Sequence, residues 1–142
     1  MRTVETPDGN HVLVRKASGD SLLVADPDTG EERYVDRDAV SELDGESALA
    51  VAASAVPAPT RRVLTAVHDD ESVGLLLELV DRGPLAARTL LDEYDYCESD
   101  LYGLVAEFRA AGLVEEATVA GERGYDATEL ARDGVAVLRG AN

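Results

Sequence analysis

Apolar residues recur along this chain with two different periods, and the change of period near residue 69 divides it. Over residues 1–43 the apolar runs are short: Val12-Leu13-Val14, Leu22-Leu23-Val24 and Arg33-Tyr34-Val35. Turn-forming stretches precede them, namely Pro7-Asp8-Gly9-Asn10, Ser18-Gly19-Asp20 and Asp26-Pro27-Asp28-Thr29-Gly30. This punctuation predicts a small meander of β-hairpins. Asp36 is placed to cap a short helical turn carrying Val40 and Leu43. A unit of about forty residues buries too little to be stable alone, so it needs cover from the rest of the chain or from a second copy.

Residues 44–68 read as a helical connector. Asp44-Gly45-Glu46-Ser47 offers helix-start chemistry, Ala48 to Val56 propagates a helix, and Pro57 and Pro59 stop it. Thr60 can cap a further short helix from Arg61 to Val67. Ala48, Ala52 and Ala55 either let another backbone approach closely or belong to a plain spacer.

From 69 to 142 the spacing is helical. Asp69-Asp70-Glu71 places negative charge at a helix N-terminus, where the dipole favours it. Val73, Leu76, Leu77 and Val80 form an inward stripe, broadened by Leu75 and Leu79. Gly83 suits a left-handed residue closing that helix, and Pro84 suits the first position of the next. That helix carries Leu85, Ala87, Leu90, Leu91 and Tyr94. After a turn at Asp95-Tyr96-Cys97, a helix from Glu98 to Ala111 puts Leu101, Leu104, Val105 and Phe108 on one face, and Gly112 ends it. Leu113 to Val119 and Tyr125 to Thr128 read as strands around Ala120-Gly121-Glu122-Arg123-Gly124. A last helix starts near Glu129 with Leu130, Val135 and Leu138. Helix, helix, turn, helix, hairpin, helix is the order of a winged helix-turn-helix. The expected class is therefore α+β: a small N-terminal β meander, a connector helix, and a C-terminal winged helix-turn-helix over 69–142.

Composition changes the picture mainly through charge. The 142 residues hold 29 acids against 13 bases, a net charge of -16. Lys16 is the one lysine beside twelve arginines, and isoleucine is absent. The acids spread along the whole chain, as on the surface of an extreme halophile's protein. They repel each other in low salt, and that repulsion is screened in molar salt. No apolar run approaches the roughly 18 residues that span a bilayer, and the first residues hold no apolar signal core. A cytoplasmic protein without a membrane partner is expected, and the single cysteine, Cys97, suits a reducing compartment. Cys97 itself reads as a small packed residue or a cap.

Chemistry-bearing motifs point away from an enzyme. His11 and His68 have no Cys or carboxylate near them at ligand spacing. Glu115 and Glu116 adjoin in a strand and so face opposite ways. Gly121 and Gly124 flank a hairpin tip rather than a helix start, so no phosphate-binding loop is present. Asp26-Pro27-Asp28-Thr29-Gly30 lacks the alternating acids and terminal Glu of a calcium loop. No cofactor is expected.

Ala110-Ala111-Gly112-Leu113-Val114-Glu115 resembles the junction between recognition helix and wing in many prokaryotic regulators. Tyr125-Asp126-Ala127-Thr128-Glu129-Leu130-Ala131 resembles the segment leading from the second wing strand into the final helix of MarR-like and PadR-like repressors. The whole chain, acidic β meander included, resembles an uncharacterised haloarchaeal family of winged-helix proteins. The resemblance implies a DNA-binding transcription regulator. On that reading Glu98 to Ala111 is the recognition helix, with Glu98, Ser99, Tyr102, Gly103, Ala106 and Glu107 outward and Asp100 beside them. Ser99 and Tyr102 can donate to phosphates or base edges. Glu98 and Asp100 serve the helix dipole. Arg88, Arg109 and Arg123 supply the basic groups, with Arg61 and Arg62 upstream. Arg123 is expected at the hairpin tip, either on a phosphate or paired with Glu122 or Asp126. The expected partners are DNA and a second copy of the chain, the β unit mediating dimerisation or partner contact. The rival reading is a winged-helix adaptor that binds protein through its acidic face.

Overall fold

A computed structural model describes residues 2–43 and 45–140. The chain is α+β, and its backbone contacts cluster into two units, Met1–Pro57 and Ala58–Asn142. The predicted connector is thereby shared between them rather than standing apart. Among the described residues no helix is long and apolar enough to cross a membrane.

The first unit is built on alternation. Strands β1 (Thr3–Glu5), β2 (His11–Ser18), β3 (Ser21–Ala25), β4 (Glu32–Asp36) and β5 (Ser41–Glu42) form one antiparallel sheet in the order β4-β3-β2-β1-β5. Because successive strand residues face opposite ways, Val12 and Val14 join Val4, Leu22 and Val24 in one buried cluster. Leu13 and Ala25 face the other way, where Val51 of helix α1 (Ala48–Ala53) covers them. Ala48 and Ala52 pack into that second cluster, so their small size serves close approach rather than a spacer. The three apolar runs all became strands. The helical turn expected after Asp36 did not form as such. A three-residue 3-10 turn spans Arg37–Ala39, and the Asp36 side chain caps nothing. The chain then re-extends, because Ser41 and Glu42 pair with β1 and the Leu43 amide donates to the Thr3 carbonyl at 3.1 Å.

The second unit runs α2 (Ala58–Ala66), α3 (Asp70–Arg82), β6 (Leu85–Ala86), α4 (Ala87–Tyr94), α5 (Glu98–Ala110), β7 (Val114–Val119), β8 (Glu122–Ala127) and α6 (Glu129–Leu138). Its three strands order as β6-β8-β7. Leu75, Leu76 and Leu79 of α3, Leu90 of α4, Leu101, Val105 and Phe108 of α5, and Tyr125 and Val135 share one core. At roughly 1.5–3 kcal/mol per fully buried large apolar side chain, this cluster is the main stabilising element of the unit. Val73, expected in the inward stripe, is 40% exposed, and Leu138 is 52% exposed. Both lie at the edges of the buried faces of their helices rather than at the centres.

Several local expectations are corrected by packing. Thr60 does not cap a helix that starts at Arg61. It lies inside α2, buried, and its hydroxyl donates to the Gly134 carbonyl of α6 at 3.2 Å. Gly83 is not left-handed: its φ is -63°. It is glycine for space, because a Cβ there would overlap the Leu79 carbonyl and lie 2.5 Å from Asp126 Oδ1. Pro84 does not open α4, since Leu85 and Ala86 intervene as β6 and pair with Tyr125 and Gly124. Gly124 is likewise a packing glycine, where a Cβ would sit 2.5 Å from the Leu85 carbonyl.

Candidate nucleic-acid interface

α5 owes its orientation to its apolar residues. Leu101, Val105 and Phe108 are buried and Leu104 is half-buried, which turns Ser99, Tyr102, Gly103, Ala106 and Glu107 outward. A short turn precedes it, with Asp95 left-handed at φ +59°. Glu98 and Asp100 lie in its first turn, where their negative charge is favoured by the positive end of the helix dipole. Cys97 occupies the N-cap position but caps nothing, and it is exposed rather than packed. Its sulfur lies 3.4 Å from the Ser99 hydroxyl.

The hairpin beside α5 differs from the sequence reading. Val119 pairs with Glu122, so the tip is the two-residue turn Ala120-Gly121, with φ +51° and +79°. Two successive positive φ values match the twist of a tight hairpin. Arg123 is therefore not at the tip. It stands in β8 opposite Thr118, on the face that also carries Glu116 and Tyr125. At the base of the hairpin this face is buried through Val114, Tyr125 and Ala127; toward the tip it opens and carries charge.

There the Glu116 carboxylate gathers two of the predicted site residues. Its Oε1 accepts from Arg109 of α5 at 3.2 Å and from Arg123 of β8 at 3.0 Å. The Arg123 hydrogen bond, then the charges of Arg109 and Arg123, hold the Glu116 carboxyl below its usual range. The Glu116 hydrogen bond in turn raises Arg123, with Tyr102 among the groups whose charge acts on it. Arg109, Arg123 and Tyr102 thus belong to one neighbourhood. Arg88 does not join them: it reaches Glu122, on the opposite face of the hairpin, at 3.4 Å. Arg62 donates to the Ala111 carbonyl at 3.1 Å behind α5. Arg123 thus pairs with Glu116 rather than with the expected Glu122 or Asp126, which take Arg88 and Arg132, because the tip is narrower than the glycines suggest. Placing it at Ala120-Gly121 brings Glu116 within diagonal reach of Arg123.

A second feature lies on the other side of α5. A groove of about 780 Å³ runs between the start of α3, the α4–α5 turn and α5. Asp69, Glu71, Glu78, Asp95, Asp100 and Glu107 line it, with Tyr94, Tyr96, Leu75 and Leu104 as its less polar part. Burial first, then the charges of Glu71, Asp69 and Asp100, push the Tyr96 phenol up. The His68 imidazole meets Glu107 at 2.8 Å on its rim. Among the described residues no group of three or more His, Cys, Asp or Glu is arranged to hold a metal ion.

The model of a family of unknown function, DUF7346, matches residues 1–139. The chain belongs to the DUF7346 family. The match spans both units, so the sheet of the first unit and the helices and hairpin of the second belong to one DUF7346 architecture. No curated protein and no solved structure matches this DUF7346 member.

Proposed function

We propose that the second unit of this protein is a winged helix-turn-helix and that the protein is a DNA-binding transcription regulator, acting as a homodimer in a haloarchaeal cytoplasm. The observation that carries this reading is the placement of α5. Its outward face, with Ser99, Tyr102 and Gly103, is open, and the β7–β8 hairpin beside it carries Arg123 next to Arg109. A helix of this kind can enter a major groove while the adjacent hairpin follows the phosphates. Gly103 leaves the middle of the helix bare for close approach, as no atom lies within 4 Å of where its Cβ would be. The acids of α5 and of the whole surface weaken this attraction in dilute buffer. In molar salt they are screened, and base-edge contacts count for more than phosphate charge.

Genome-wide immunoprecipitation in the native host, at native salt, tests the reading. Sites recovered that way should bind the purified protein. Arg123→Ala should then weaken every duplex by about 1 kcal/mol or more with the fold intact, while Tyr102→Ala should relax preference among sequences. If both variants bind the recovered sites like the parent, α5 and the hairpin do not read DNA.

The acid-lined groove favours a second reading, an adaptor that binds a basic segment of another protein without touching DNA. Under it the same immunoprecipitation returns a protein partner and no enriched DNA, and Glu71→Gln with Asp100→Asn weakens the protein contact.

A further inference from the structure

Two guanidiniums converging on one carboxylate oxygen make a site for an oxyanion with its own internal tenant. Arg109 reaches Glu116 Oε1 at 3.2 Å and Arg123 reaches it at 3.0 Å. The two arginines come from different elements, the last turn of α5 and the start of β8, so their convergence is set by the fold and not by local sequence. Side chains of all three residues are about half exposed, at 47%, 66% and 48% for Arg109, Arg123 and Glu116. A ligand can therefore reach the seat and the tenant can swing out into water. Two positive charges on one negative leave the cluster at +1, still attractive to a phosphodiester.

We propose that Glu116 is a tethered competitor for a phosphate seat formed by Arg109 and Arg123. The proposal rests on the DNA reading above and says how that surface is tuned. A duplex phosphate takes the place of the carboxylate, and the exchange of one anion for another replaces one of the two charges that would otherwise act on DNA. The log–log salt dependence of binding is then shallower than the arginine count implies, by about 0.9 per masked charge. For a protein working in concentrated salt, such masking keeps affinity steady when the salt concentration varies. It also withholds the arginines from weak, nonspecific anions.

Glu116→Gln tests this, because it keeps the size and most of the hydrogen bonding but unmasks one positive charge, taking the cluster from +1 to +2. Glu115→Gln, on the opposite face of β7, is the control for the change in net charge alone. Binding to a duplex recovered from the host is measured for parent and variants over a salt series in which all remain folded. Glu116→Gln should bind about 1.5- to fivefold tighter, the worth of one exposed ion pair, and its salt slope should steepen by about 0.9. Glu115→Gln should follow the parent, and the gain should vanish when Arg109 and Arg123 are both alanine. A Glu116→Gln protein with the parent's affinity and slope overturns the proposal while leaving the DNA reading intact. If neither binds any duplex, the DNA reading falls, and inorganic pyrophosphate decides the seat. Pyrophosphate shifting the side-chain Nε–Hε resonances of Arg109 and Arg123 in Glu116→Gln but not in the parent supports the tethered competitor. No such shift in either protein overturns it.

Discussion

Gly134 and Gly103 both sit inside helices, and the same substitution should move stability in opposite directions at the two. Glycine in a helix costs about 1 kcal/mol relative to alanine. At Gly134 that cost is the condition for packing: a Cβ would lie 2.6 Å from the Pro59 carbonyl and 2.9 Å from Val63, forcing α2 and α6 apart. Gly134→Ala should therefore destabilise by about 1–3 kcal/mol, the usual range for overpacking. At Gly103 nothing opposes a Cβ, so Gly103→Ala should stabilise by up to about 1 kcal/mol. Urea titrations in high salt read both. Under the DNA reading Gly103→Ala also weakens duplex binding, which separates its two effects. Residues were the scale least legible in the sequence. Gly83, Gly124 and Thr60 looked like markers of local conformation, yet Gly124 and Thr60 are set by partners far along the chain, Leu85 and Gly134, and Gly83 by the Leu79 carbonyl together with Asp126. Arg123 was misplaced for the same reason, since a window of Gly-rich sequence does not say which two residues form the turn.

At the scale of elements, the start of α3 is held by reciprocal capping. The Ser72 amide donates to Asp69 Oδ1 at 2.9 Å, while the Ser72 hydroxyl accepts from the Asp69 amide at 3.1 Å and from the His68 amide at 2.9 Å. Ser72 is buried, and Ser72→Ala removes the acceptor of both the His68 and the Asp69 amide. The expected cost is about 1–2 kcal/mol, seen as a lower urea midpoint with an unchanged slope. The other end of α3 is tied to α6 by Asp81, which receives both Arg139 guanidinium nitrogens, at 2.8 and 2.9 Å. That hydrogen bond, then the charge of Arg139, holds the Asp81 carboxyl below its ordinary 3.8. A depressed carboxyl stabilises the fold above its unfolded value and loses that contribution as pH falls through the folded one. Asp81→Asn should therefore lower the melting temperature slightly at pH 7, and the difference from the parent should close below about pH 4. The existence of the helices and of the hairpin of the second unit was legible from the apolar period, while several of their ends were not, because packing rather than capping sets them. β1, β5 and β6 were not: each is two or three residues long and exists only because a neighbouring strand offers hydrogen bonds.

For the whole molecule, charge density is the dominant fact. With a net charge of -16 on 142 residues, self-repulsion acts on every part of the surface. Screening lengthens from about 3 Å at 1 M salt to about 10 Å at 0.1 M. Thermal melts across a KCl series should thus show a melting temperature that falls as salt drops below about 1 M. A temperature independent of salt would contradict the halophilic reading. The proposed homodimer is tested at the same scale. Leu64, Val137 and Leu138 stay exposed on α2 and α6, apolar positions in a chain otherwise crowded with acids. Light scattering at tens of micromolar in high salt should give twice the mass of one chain. The overall class, a β unit followed by a helical unit with a hairpin, was readable from periodicity alone. The division at residue 57 was not, since the helix over 48–53 looks like a spacer until Leu13 and Ala25 show what Val51 covers.

Cys97 turns these measurements into a matter of handling. It is the chain's one thiol and it is exposed at the head of α5. In air, two copies can oxidise to a covalent pair through it, with the mass of the association that light scattering seeks. Only a doubled mass that survives reductant counts as assembly. The same accessibility makes the native chain ready for a thiol-reactive fluorophore with no substitution at all. A dye on Cys97 sits between the open face of α5 and the acid-lined groove, where its emission reports the arrival of a duplex or of a basic peptide.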